Sequence, residues 1–196
     1  MSKVNDRSNP SLNDPDRFAI FTFQAAPPLP FARAAGSVGK TAPEMAETFG
    51  KAVEAGLENG GMIKNLFSFG DEERGAHLFY GWFKAESIVV RHSHGQDCLY
   101  FILSGEAILG NQTLGVGDGF YVPADHPYAY RAGPRGVEVL EFRSVHPVDG
   151  STYFLERRPE AWAKFLQVVV DQQEAWQAEV VPPSQRSRTD ASVESS

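Results

Sequence analysis

Cysteine is nearly absent: the 196-residue chain carries one, Cys98. A single thiol excludes an intramolecular disulfide and a cysteine-rich structural zinc site. Long apolar runs are missing as well, and none approaches the ~20 residues a membrane helix requires. Met1 to Pro10 lacks the charged-then-apolar pattern of a secretion signal, so a cytoplasmic location with no membrane partner is expected. Basic residues are in the minority, 18 against 25 acidic, for a net charge of −7. Nucleic-acid binding draws its affinity from phosphate neutralisation, so this balance, with no basic patch and no helix-turn-helix pattern, excludes nucleic acid as the expected partner. No glycine-rich loop opens a helix as a phosphate cradle, and no Ser-His-Asp order suits a catalytic triad.

What is present is core-forming material. Hydrophobic residues make up 42% of the chain and aromatic residues 12%, which marks a folded globular protein. Residues 1–16 are rich in Asn, Asp, Ser and Pro and are expected to be a disordered tail. Residues 17–70 are expected to form an N-terminal arm and a helix packed on the main domain. The arm is Phe18 to Phe23, stopped by Pro27, Pro28 and Pro30. Thr41-Ala42-Pro43-Glu44 has capping-box spacing, and Met45, Phe49, Val53 and Leu57 recur every four residues, as the apolar stripe of a helix does. Asn59-Gly60-Gly61 ends it.

From about residue 62 to 148 the texture differs, and the β domain proper is placed at residues 71–148. Short runs of Val, Ile, Tyr and Phe alternate with Gly, Asp, Asn and Pro every eight to twelve residues, as in an all-β sandwich or barrel. The spacing predicts strands over 76–83, 86–91, 98–103, 106–109, 112–115, 119–122, 128–131 and 137–143, with Gly110-Asn111 as a tight hairpin turn. Residues 149–182 are expected to be a helical extension, with Trp162, Phe165, Leu166, Val169, Val170 and Trp176 on one face and Pro182-Pro183 as its stop. Residues 183–196 form an expected disordered tail.

The chemistry concentrates at Arg91-His92-Ser93-His94. In an extended strand residues i and i+2 share a face, so His92 and His94 present two imidazoles side by side, as a metal ion on a β-scaffold needs. Arg91 has the opposite parity. A divalent ion in a dry barrel also needs an anionic donor. Cys98 shares parity with Tyr100 and Ile102; it is either a thiolate ligand or a small buried hydrophobe. Asp97 is a second anion, off parity unless a bulge turns it inward. His77 and His146 are expected to be structural. Glu141 and Arg143 give the last strand one charged face, which points either to water or into the barrel.

At these residues the chain resembles the cupin superfamily, small β-barrels of the jelly-roll type. Their first motif reads Gly-x5-His-x-His-x3,4-Glu-x6-Gly and their second Gly-x5-Pro-x-Gly-x2-His-x3-Asn. His92-Ser93-His94 matches the paired histidines, and Gly105 matches the closing glycine. Cys98 stands where the family has its glutamate. The second motif runs from Gly117 to Pro123, with Asp125 at the glycine position and Tyr128 at the histidine position. The resemblance implies an all-β, cupin-type jelly-roll barrel with flanking N-terminal and C-terminal α-helices. It implies a divalent transition metal (Fe, Zn, Mn or Ni) on His92, His94 and Cys98. Tyr128, or the neighbouring His126, would act as the acid/base or orienting group. Tyr100, Ile102, Phe120, Val122 and Tyr130 would line an apolar, aromatic pocket for a small organic molecule. A dioxygenase-like enzyme is the first expectation, with an isomerase, a lyase or a non-catalytic sensor as alternatives. A homodimer is expected by the same resemblance, with the Phe18–Phe23 arm and the Trp162–Trp176 helix as contact surfaces.

Overall fold

The computed structural model describes residues 11–12, 18–30, 43–70, 75–144 and 152–185. Ten strands form one strongly curled sheet: β1 (Ser11–Leu12), β2 (Pro28–Leu29), β3 (Gly61–Gly70), β4 (Gly75–Phe83), β5 (Ile88–His94), β6 (Cys98–Leu109), β7 (Gln112–Leu114), β8 (Gly119–Val122), β9 (Tyr128–Ser144) and β10 (Thr152–Phe154). Among the described residues two α-helices flank it, α1 (Pro43–Glu54) and α2 (Pro159–Ala178). The expected all-β barrel with a helix before and a helix after it is what the chain forms. No helix among the described residues is long and apolar enough to cross a membrane.

The 17-residue strand β9 organises the curl. Its second half lies between β4 and β6, pairing Tyr80 with Leu140 and Tyr100 with Glu141. Its first half lies between β5 and β6, pairing Val89 with Tyr130 and Ile108 with Arg131. The strand changes partners at Ala132–Gly136, the corner that closes two sheet faces over one core. Gly105 of β6 meets Gly136 at this corner, and a Cβ on Gly105 would lie 2.0 Å from the Gly136 carbonyl oxygen. The corner therefore demands glycine.

Three apolar clusters result. Cys98, Tyr100, Ile102, Val122, Tyr128, Tyr130, Val137 and Val139 fill the concave face. On the convex face, Phe23 and Ala26 of the arm cover Leu66, Tyr80 and Trp82. The third cluster joins Phe49 of α1 and Trp162, Phe165, Val169 and Trp176 of α2 to Val90 of β5.

Several boundaries differ from the sequence-based ones. Strand β3 begins at Gly61, ahead of the boundary at 71 and of 76–83, the first strand expected, because a bulge at Leu66 and the polar Lys64, Asn65 and Ser68 hide its period. The runs 98–103 and 106–109 are one strand with two irregularities, and 128–131 and 137–143 are also one strand. Gly105, Gly133 and Pro134 look like stops in sequence but serve as bends. Val170 departs from the buried face of α2 and is 52% exposed. The tryptophan face of that helix is buried within the chain, so it is not a free contact surface. The tails expected to be disordered lie outside the described residues, except for two short pieces. Ser11–Leu12 pairs with β3, and Pro183–Gln185 forms a 3-10 turn. There the Ser184 amide and hydroxyl each donate to the buried Glu138 carboxylate at 2.7 Å. His146 also lies outside the described residues.

Candidate functional site

A bulge aims the histidines. Val89 pairs with Tyr130 and His92 with Tyr128, so Val90 and Arg91 together oppose Ala129 alone. One extra residue reverses the strand's parity. Val89 faces the barrel core, Val90 turns out to the helices, and His92 and His94 turn back in. Both carbonyls of the bulge are used. That of Val90 accepts from His92 Nδ1 at 2.8 Å, and that of Arg91 accepts from the amides of Leu155 and Glu156, on the approach to α2.

The charged face of β9 points inward. Arg143 and Glu141 are cross-strand partners of Cys98 and Tyr100, and these share the concave face. Buried polar groups must be paired, and a continuous series achieves it. His92 Nε2 meets the Tyr128 hydroxyl at 2.9 Å, and that hydroxyl meets the Tyr100 hydroxyl. Tyr100 donates to Glu141 Oε1 at 2.7 Å, to which Arg143 Nε also donates. Arg143 Nη2 donates to His94 Nε2 at 3.2 Å, and His94 Nδ1 lies 3.4 Å from the Thr152 hydroxyl.

The electrostatics follow from this packing. Burial pushes the His92 pKa down to about 4, although its bond to the Val90 carbonyl and the charge of Glu141 act the other way. Burial alone would raise the Glu141 pKa, but the charge and hydrogen bond of Arg143 more than offset it and hold the carboxyl well below its ordinary range. Burial, then the Glu141 charge, push the Cys98 thiol up to about 12, so without a cation it is protonated. Burial, then Glu141, also raise Tyr100 and Tyr128 well above ordinary phenols.

A proton count follows. With His92 neutral and Glu141 ionised, one imidazole and two phenols bring three protons to four contacts: Val90 to His92, His92 to Tyr128, Tyr128 to Tyr100, and Tyr100 to Glu141. One contact is therefore always short of a hydrogen, and the gap can move along the series. A proton supplied from outside would fill it.

The depressed His92 makes folding pH-dependent. The unfolded imidazole takes its proton near 6.5 and the folded one near 4, so stability is present above the first value and declines as pH falls towards the second. This group contributes about 3 kcal/mol over that window. Urea midpoints from pH 7 to pH 4 should show the decline, and a His92→Gln variant should show a shallower one. Equal slopes in the two proteins would mean that His92 is not buried neutral.

A cavity of about 130 Å³ opens on this series. Its polar lining includes His92, His94, Tyr100, Tyr128, Glu141 and Arg143, and Phe49, Phe165, Val169 and Trp176 supply an apolar wall from the helices. Of the expected pocket residues, Tyr100 and Tyr130 line this cavity. Ile102, Phe120 and Val122 belong to the packing behind it, where Phe120 stacks on Tyr100 at 4.4 Å. His126 is exposed in the turn before β9 and does not line the cavity, because prolines on both sides hold it at the rim. Asp97 faces outward and accepts from the Ala124 amide. His77 is bonded to Ser68 at 2.7 Å.

Ligand atoms of His94, Cys98 and Glu141, all buried, lie within 4.8 Å of one another and could hold a metal ion. An imidazole, a thiol and a carboxylate are donors that a divalent transition metal takes. Glu141, rather than the expected Asp97, is the carboxylate beside His94 and Cys98. His92 stands outside the trio, its ring 4.9 Å from that of His94. Arg143 brings its positive charge into contact with two of these donors. Arg143 and Thr152 had no place in the sequence-based site. The Glu-x-Arg alternation on β9 carried the signal for the first, and nothing near Thr152 carried one.

No protein-family model matches the chain, and no curated protein matches it. Solved structures of cupin-fold proteins are similar to it. The DMSP lyase DddQ from Ruegeria pomeroyi is 23% identical over 44% of this chain and 44% of its own, with a TM-score of 0.38. An RmlC-like cupin from Shewanella frigidimarina is 21% identical over 46% of this chain and 81% of its own, with a TM-score of 0.40. A protein of unknown function with a cupin-like fold from Ralstonia eutropha is 15% identical over 81% of this chain and 90% of its own, with a TM-score of 0.46. The match thus spans less than half the length of the lyase. These likenesses concern the fold.

Proposed function

We propose that this barrel, similar in fold to the cupins, is an enzyme that takes a proton from a small organic molecule beside a divalent transition-metal centre. The observation that carries the reading is the buried series from His92 through Tyr128 and Tyr100 to Glu141, one proton short and open to the cavity. His94, Cys98 and Glu141 would hold the ion, which when bound supplies Lewis-acid polarisation of a substrate oxygen. Tyr128 is the group nearest His92 that can pass a proton to it, and His92, neutral near pH 7, is the acceptor. The apolar wall from α1 and α2 excludes water from the bound molecule. Proton abstraction next to a carbonyl, as in an isomerase or lyase, is the chemistry such a relay serves. Dioxygenase-like turnover is the second reading, favoured by the Tyr100, Tyr128, Tyr130 and Phe154 rings around the cavity, which suit a planar substrate.

The test has two arms. Protein purified without added metal should carry about one transition-metal ion per chain by elemental analysis, and His94→Ala and Cys98→Ser should each lose it. For the relay, carbonyl compounds that raise the melting temperature should exchange a C–H proton for deuterium in D₂O, followed by NMR. Tyr128→Phe should abolish that exchange while the melting shift remains. Exchange unchanged in Tyr128→Phe would remove the relay from the reaction.

A further inference from the structure

The guanidinium of Arg143 is placed where a cation belongs. Its Nε donates to Glu141 and its Nη2 to His94 Nε2, so it engages two of the three groups that could hold a metal, and Cys98 is its cross-strand partner. A guanidinium has no lone pair and only donates, so the His94 Nε2 lone pair and the inner face of Glu141 Oε1 are directed at Arg143. The Phe79 ring closes the other side, with its centroid 4.9 Å from the guanidinium carbon. The ion pair is largely shielded from solvent, with side-chain exposures of 14% and 11%.

Charge balance sharpens this. With Arg143 in place the cluster holds the Arg143–Glu141 ion pair. A divalent ion held by Glu141 and a Cys98 thiolate would leave one unit of positive charge in excess if Arg143 stayed. If Arg143 left, the cluster would be neutral. Uncompensated charge in a buried site is strongly disfavoured.

Resting on the metal reading above, we propose that the Arg143 guanidinium and a divalent transition metal are alternative occupants of one seat, so that an ion enters only as Arg143 withdraws from Glu141 and His94. Residue 143 is the penultimate residue of β9, beside the rim, so its side chain can leave while the strand stays paired. Arg143 thereby sets the metal affinity of the barrel.

Full-length protein stripped of metal is titrated with Zn²⁺ by calorimetry and with Co²⁺ by absorption, where thiolate ligation gives a charge-transfer band. Arg143→Gln removes the competing charge and keeps a neutral donor for Glu141. Its Zn²⁺ affinity should exceed that of the wild type by about tenfold or more, with a thiolate–cobalt band that Cys98→Ser abolishes in the same background. If the wild type binds and Arg143→Gln binds equally or more weakly, the exchange is refuted and the metal reading stands. If only Arg143→Gln binds, the exchange stands and the native protein is not a metalloenzyme. If neither binds, both fail. A wild-type readout covers a variant that does not fold: phenylglyoxal modification of Arg143, mapped by mass spectrometry, should be slow without metal and rise on saturation with Zn²⁺. An unchanged rate in a protein that binds Zn²⁺ overturns the exchange.

Discussion

Glu141→Ala is expected to cost about 3–5 kcal/mol of folding stability, because it leaves the Arg143 guanidinium buried without its counter-charge. The loss extends beyond one pair. Glu141 Oε1 accepts from both Tyr100 and Arg143, so the Tyr100 hydroxyl loses its acceptor too, and an orphaned buried hydroxyl carries its own penalty. The double variant Glu141→Ala/Arg143→Ala should lose less than the sum of the singles, since no uncompensated charge remains. Urea denaturation at pH 7 of the four proteins closes the cycle. A Glu141→Ala loss under about 1 kcal/mol, the range of exposed pairs, would mean that this pair sits in water.

Trp176→Ala should be comparably damaging, at about 3–5 kcal/mol, through the large void it leaves. Trp176 is 2% exposed and lies in the cluster that fastens α2 to α1 and β5. Its Nε1 donates to the Ala85 carbonyl at 2.9 Å, and its backbone carbonyl accepts from the buried Lys84 ammonium. The ring packs so closely on Gly60 that a Cβ there would lie 2.9 Å from Cζ3. Trp176→Phe refills part of the space and should recover part of the stability, though not the bond to Ala85. Because Trp176 also lines the cavity, the truncated protein should bind larger hydrophobic molecules. Thermal melts with and without such probes measure both effects, and a truncated variant as stable as the parent would place α2 off the barrel.

Much of this architecture was legible before any coordinates. The alternation of β6, with Cys98, Tyr100 and Ile102 buried and Leu99 and Phe101 exposed, follows period two directly. Phe49 and Leu57, and Trp162, Phe165 and Val169, follow helical or near-helical spacing to their cluster. The histidine pair lies inside the barrel, where the motif resemblance put it. Two kinds of feature were not settled. Continuous strands that bend at glycine or proline, such as β9 at Gly133–Pro134, look like two strands with a turn, because local composition does not distinguish a corner from a stop. The orientation of Glu141 and Arg143 stayed open between water and the barrel for another reason. Alternation says that two residues share a face, and only the pairing of β9 with Cys98 and Tyr100 says which face that is. A charged pair inside a barrel is the less frequent outcome, and here it is stabilised by mutual neutralisation that no single-residue preference encodes.

The two peptide units at Val90 and Arg91 carry a consequence for how this chain tolerates change. Arg91 is exposed, and its side chain is chemically replaceable. Removal of the whole residue would leave Val90 alone opposite Ala129, with Val89 still on Tyr130 and both imidazoles still facing in, but without the carbonyl that receives the Leu155 and Glu156 amides. A single-codon insertion beside it, in contrast, would turn both imidazoles outward, and should be as harmful as loss of a ligand, while substitution of Arg91 passes unnoticed. This segment tolerates a residue fewer better than a residue more.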